Sequence, residues 1–269
     1  MERVGPEWFV SANETGSHPP LIMVQAWPEE RWRFESLAKC VSTEQPLYGI
    51  LCPTESSARR LRRVEDWIPF MKSAVSALPV QPPYNLFGWS FSGLVTLELA
   101  RALGDDVGLI GLVDTWMPRN YKPLHRALFV LNRLALQPRG SPTNDVRFFI
   151  KKEMRAERRL IVRVAERIAE RTRRLAGGPM PSLQDTLEWR TFFASRRLMV
   201  RPITRPVTFF SVTETQTIQG IDASWDWARL FVGGFEVIRL DGGHWTIWED
   251  PFIESFAHAL ESSVVRPRT

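Results

Sequence analysis

The chain has 269 residues, 44% of them hydrophobic and 24% charged, and carries a formal net charge of +5. That length suits one large α/β domain with a buried core, or two small ones, and no uninterrupted apolar run approaches the roughly 20 residues a membrane span requires. The positive charge attracts acidic partners at a distance, but no finger, RNP or basic-zipper pattern accompanies it, which argues against a nucleic-acid partner.

In chain order, residues 1–19 show no basic stretch followed by an apolar one, so they read as a loosely held arm and not as a signal peptide. "LIMVQAW" (21–27) is a short apolar run suited to a buried parallel strand, "RFESLAKCV" (33–41) a helix, and "PLYGIL" (46–51) a second strand. The segment 56–78 has apolar residues at helical spacing, with Pro69 set to kink or restart it. "YNLFGW" (84–89) is a third strand, "SGLVTLELARAL" (92–103) the helix leaving it, and "VGLIGLVD" (107–114) a fourth strand. Strands alternating with helices predict a parallel sheet covered on both faces.

After Pro118 the rhythm breaks. Residues 119–200 show helical periodicity and no strand, and the arginine-rich part over 147–174 is either a solvated face or a surface that steers an acidic partner. Strands at "PVTFFSV" (206–212) and "FEVIRL" (235–240) and a closing helix over 251–264 restore the pattern. The expected organisation is therefore an arm (1–19), an α/β core (20–118 with 201–269) and a helical insertion (119–200). Cys40 and Cys52 lack CxxC or metal-ligand spacing, so a reduced, cytoplasmic chain without a metal is expected. The eleven tryptophans either fill the core or line an apolar pocket.

The six residues "GWSFSG" (88–93) place Ser90 between an apolar strand and a helix. A nucleophile elbow needs small residues around such a serine, because strand and helix pass closely there. Gly88, Ser92 and Gly93 supply them. The same turn sets the backbone N–H of Phe91 at a helix N-terminus, where it can stabilise an oxyanion. The plainer alternative is a serine that merely caps the helix.

A serine nucleophile needs a base, and the base needs a carboxylate to orient it. Of the four histidines, His18 lies in the arm, His125 begins the insertion and His258 sits inside the closing helix. His244, in "RLDGGHWTIWEDP", follows the last apolar strand in a glycine-bearing loop and is the expected base. Asp114 ends the fourth strand at the same sheet edge as Ser90. Asp222 competes for the role of acid, and Glu214 more weakly.

With these three stretches in place, the chain resembles the thioesterases that end nonribosomal peptide and polyketide assembly lines, within the α/β-hydrolase superfamily. "GWSFSGLVTLELARAL" is similar to the family's GWSxGG and following helix, apart from Ser92. "LVDTWMP" (112–118) resembles its LLDxxxP, and "GGHWTIWEDP" (242–251) its GxHxxML stretch. The resemblance covers most of 20–260 except the insertion, where the family carries a variable helical lid.

The resemblance implies an α/β-hydrolase fold and a carrier protein that delivers an acyl or peptidyl chain as a phosphopantetheine thioester. No cofactor of the enzyme itself is implied. It also implies acyl transfer to Ser90, with release by hydrolysis or cyclisation. After the first core strand the family commonly has His-Pro-x-Gly-Gly, whose x residue donates a second oxyanion N–H. Here the ungapped equivalent is "QAWPE" (25–29), which moves that donor to Trp27 in a loop without glycine. An esterase acting on oxygen esters, and a catalytically weak acyl-binding protein, are the competing expectations.

Overall fold

Short apolar runs separated by amphipathic stretches build the sheet. The structure, a computed structural model, describes residues 8–27, 31–52, 63–116, 194–195, 198, 201–213, 227–228 and 230–265. Among them lie seven strands: Phe9–Ala12 (β1), Leu21–Val24 (β2), Leu47–Ile50 (β3), Tyr84–Trp89 (β4), Val107–Val113 (β5), Val207–Val212 (β6) and Phe235–Leu240 (β7). They form one sheet in the order β1-β3-β2-β4-β5-β6-β7, parallel throughout except for β1. The α/β expectation holds. The expected insertion over 119–200 lies outside the described residues apart from 194, 195 and 198.

Burial follows position in the sheet. Every residue of β2, β3 and β6 is buried, as strands covered on both faces require. At the edge, β7 buries only Leu240. Side chains alternate between faces along each strand. Leu21, Met23, Phe87, Trp89, Leu109, Val113, Phe210 and Val212 thus join one core cluster with Phe34 and Leu37 from Arg31–Cys40 (α1) and Phe256 and Leu260 from Phe252–Val265 (α4). Edge-on ring contacts of Phe256 with Phe87, Phe210 and Trp248 tie α4 to the sheet.

Two differences from the sequence reading have physical causes. Residues 9–12 are not part of a loose arm: β1 pairs antiparallel with β3, from Phe9 opposite Ile50 to Ala12 opposite Leu47. Its four residues are each half-buried, so no alternation marked them. Within the expected helix over 56–78, Val64–Trp67 is a 3₁₀ turn, with the Arg63 N–H donating to Asp66 Oδ2 at 2.8 Å. The α-helix proper is Ile68–Ala77 (α2), with Pro69 in its first turn, where its missing N–H has no helical partner to lose. Pro69 therefore restarts the helix.

The strand order reverses between β2 and β4. From β2 the chain goes to β3 on one side, and later returns to place β4 on the other. In parallel α/β sheets the carboxyl ends at such a reversal diverge and leave a crevice. Ser90 follows β4, and the "QAWPE" loop follows β2.

Candidate active site

Ser90 is the entire connection between β4 and Phe91–Leu103 (α3). One residue can turn a strand into a helix only through an unusual backbone, and Ser90 has φ 53° and ψ −119°. That region is rare for residues with a Cβ and marks a strained turn. Its N–H donates to the Val113 carbonyl at 2.9 Å, and its carbonyl accepts from the Gly93 N–H at 3.2 Å. Its side chain makes no capping hydrogen bond to the helix it precedes. The plain capping role is thereby set aside.

Close packing explains the small neighbours. A Cβ on Gly88 would lie 2.3 Å from Thr96 Oγ1, and one on Gly93 would lie 1.9 Å from Thr115 Oγ1. Ser92, buried like both glycines, differs in carrying a side chain: its hydroxyl accepts a hydrogen bond from the Ala26 N–H at 3.0 Å.

Asp114 follows β5, and Trp89 on β4 is in register with Val113. Ser90 and Asp114 therefore leave adjacent strands at one edge. Asp114 has φ 39°, its N–H donates to the Phe210 carbonyl at 2.9 Å, and it is 1% exposed. The Trp227 indole N–H donates to the next carbonyl, that of Thr115, at 2.8 Å.

His244 arrives from beyond β6. Gly242 takes φ 99° to turn the chain out of β7, and Gly243 N–H donates to Thr246 Oγ1 at 2.8 Å. His244 Nδ1 lies 2.6 Å from Asp114 Oδ2. An ionised carboxylate can only accept, so with Asp114 ionised this contact calls for the hydrogen on Nδ1 and leaves the Nε2 lone pair for a base. The loop is fixed from the strand side: the Trp89 indole N–H donates to the His244 carbonyl at 3.0 Å, and the two rings lie 4.5 Å apart.

Of the expected site residues, Asp114 and His244 thus meet directly, and Ser90 leaves the same sheet edge, with its N–H on the carbonyl of Val113 and its neighbour Trp89 bonded to the His244 carbonyl. Phe91 opens α3, its ring edge-on to Trp67 at 5.3 Å. Trp27 is half-buried, one residue past the Ala26 contact. Asp222, Glu214 and His125 lie outside the described residues. Among the described residues no group of His, Cys, Asp and Glu could hold a metal ion, and no helix is long and apolar enough to cross a membrane. Cys40 and Cys52 are not joined in a disulfide.

Sequence reasoning missed two participants. Trp89 was visible as a strand residue and as part of GWSFSG, but not as the brace of the His244 loop. Arg33 is 6% exposed, with its guanidinium 4.1 Å from the Trp89 ring centroid and 5.6 Å from that of Trp245. A charge buried by stacking on rings leaves no spacing signal in a sequence. The tryptophans divide accordingly: Trp67, Trp227 and Trp248 fill the core, while Trp245 stands 64% exposed beside His244.

The family described as Thioesterase domain matches residues 30–263. A stretch of 107 residues is 30% identical to vanchrobactin synthetase VabF of Vibrio anguillarum, covering 38% of this chain and 4% of that one. Another of 117 residues is 26% identical to a dimodular nonribosomal peptide synthase of Bacillus subtilis, covering 42% and 5%. The matched stretches span only a few per cent of these synthetases. Among solved structures, the NocB thioesterase domain from the nocardicin cluster superposes with a TM-score of 0.62 at 18% identity, covering 95% of this chain and 98% of that one. The type II thioesterase BorB from the borrelidin cluster gives 0.59 at 16%, covering 97% of each. At these identities the likeness is one of fold. The sequence match runs over most of the chain and takes in the Ser90 elbow, the Asp114 turn and the His244 loop, and on that match the chain belongs to the thioesterase domain family.

Proposed function

We propose that the chain releases an acyl or peptidyl chain from a phosphopantetheine thioester on a carrier protein, through an ester on Ser90. The observation that carries this reading is the 2.6 Å contact of His244 Nδ1 with Asp114 Oδ2 at the sheet edge where Ser90 is held at positive φ. His244 Nε2 takes the Ser90 hydroxyl proton as Oγ attacks the thioester carbonyl. The backbone N–H groups of Phe91 and Trp27 receive the developing oxyanion, the C–S bond breaks, and the proton passes from His244 to the leaving thiol. In the second half His244 deprotonates a water, or a nucleophile within the acyl chain, and returns that proton to Ser90 as the acid or the ring departs.

The assembly-line setting is supported by the relatives, which are peptide synthetases, and by a similar structure described as a four-domain nonribosomal peptide synthetase. The arginine-rich stretch over 147–174, outside the described residues, supplies charge that would attract an acidic carrier protein. The helical lid that the resemblance implies for 119–200 lies, apart from 194, 195 and 198, outside the described residues.

The test compares kcat/KM for a thioester and an oxygen ester of the same acyl group, over a panel of chain lengths. Preference for the thioester is expected. Preference for the oxygen ester would replace this reading with an esterase, and turnover of neither with intact acyl binding would replace it with a binding protein.

A further inference from the structure

Ser92 stands where the elbow pattern has a glycine, and the loop after β2 lacks the glycines that would shape it. These two departures meet in one hydrogen bond: the Ala26 N–H donates to Ser92 Oγ at 3.0 Å. Both residues are buried. Ser92 lies in the first turn of α3, two residues past Ser90, so this bond fastens the loop to the elbow across 66 residues of sequence.

A second contact fixes the other side of Ala26. The Gln25 N–H donates to the Ile50 carbonyl at 3.0 Å, extending the β2–β3 ladder. The Ala26 carbonyl then accepts from Cys52 Sγ, two residues past the end of β3, at 3.3 Å. In an extended strand the N–H and C=O of one residue point to the same neighbour. At Ala26 they point to opposite ones, the N–H toward the β4 side and the carbonyl toward the β3 side. Across a trans peptide the following N–H runs antiparallel to the carbonyl. With the Ala26 carbonyl held toward β3, the Trp27 N–H faces the β4 side, where Ser90 stands.

We infer that Ser92 is a positioning residue: with Cys52 it orients the Ala26–Trp27 peptide so that the Trp27 N–H serves as the second oxyanion donor. The inference rests on Ser90 being the nucleophile. A glycine-free loop forms the hole because a side-chain hydroxyl on the elbow helix does what backbone freedom would otherwise do. In this role Ser92 acts through the loop that its hydroxyl fastens.

The test measures phosphonylation of Ser90 by an alkyl fluorophosphonate, in which Oγ displaces fluoride and the phosphoryl oxygen occupies the hole. Inhibitor concentration is varied to separate the limiting rate from the binding constant, and thermal melts are recorded in parallel. Loss of a whole oxyanion donor costs roughly 10²–10³ in rate, so loosening one through Ser92→Ala should lower the limiting rate roughly tenfold or more with little change in binding. Ser92→Thr, which keeps the hydroxyl, should recover most of it. If Ser92→Ala does not fold, Cys52→Ala carries the test and should show the same split in smaller measure. A limiting rate unchanged in Ser92→Ala overturns the inference while leaving Ser90 as nucleophile. A fall in binding without a fall in limiting rate also overturns it. Absence of any adduct on the native chain would overturn the reading on which it rests.

Discussion

Asp114 reaches His244 from φ 39°, a conformation that costs a non-glycine residue roughly 1–3 kcal/mol. Hydrogen bonds from the Asp114 N–H to Phe210 and from Trp227 to the Thr115 carbonyl hold it there. Such a turn is explained if the carboxylate orients the imidazole: Asp114→Asn should then lower kcat on a thioester by roughly 10⁴, as loss of the correct tautomer does in other serine hydrolases, while the melting temperature changes little. A loss below tenfold would move the role of acid to Asp222. At this scale the sequence was informative wherever chemistry restricts the residue type. His is the commonest base for a serine nucleophile, and of the four histidines only His244 directly follows an apolar strand. The roles of Trp89 and Arg33 escaped because their partners, the His244 carbonyl and the Trp89 ring, are distant in sequence.

The elbow is an agreement between β4 and α3 about how closely they pass. Gly93 shows the margin. Alanine is favoured over glycine inside a helix by about 1 kcal/mol, but at this site a Cβ would lie 1.9 Å from Thr115 Oγ1 and 2.9 Å from Thr115 Cβ. Rotating the Thr115 side chain moves Oγ1 but not Cβ, so overpacking wins. Gly93→Ala should destabilise the protein by roughly 1–3 kcal/mol in urea unfolding and slow Ser90 acylation. Unchanged stability would mean that α3 can move off the sheet without penalty. Most elements were legible because buried parallel strands are mostly apolar runs, and β4 and β6 begin and end within a residue of where that pattern does. The exception, β1, is held by its partner β3 and by the Leu51 N–H on the Trp8 carbonyl, and four half-buried residues give no period to read. Pro69 was ambiguous for a related reason: a proline can start a helix or bend one, and the turn before it decides.

For the molecule as a whole, the order reversal between β2 and β4 explains why residues from four separate loops assemble at one edge. Ala26 and Trp27 come from one side of the reversal, Ser90 and Asp114 from the other, and His244 crosses over β6 to join them. Fold class and the placement of Ser90 and His244 follow from strand-helix alternation, which is a property of the sequence. The acyl chain does not, because the segment that would contact it has helical periodicity and no further pattern. The measurement that tests the central claim most directly is intact-mass spectrometry of the native chain, Ser90→Ala and His244→Ala after exposure to a fluorophosphonate. A single adduct on the native chain, lost in both variants, is the result expected of a serine activated by His244. No adduct on the native chain, or one that persists in Ser90→Ala, would contradict it.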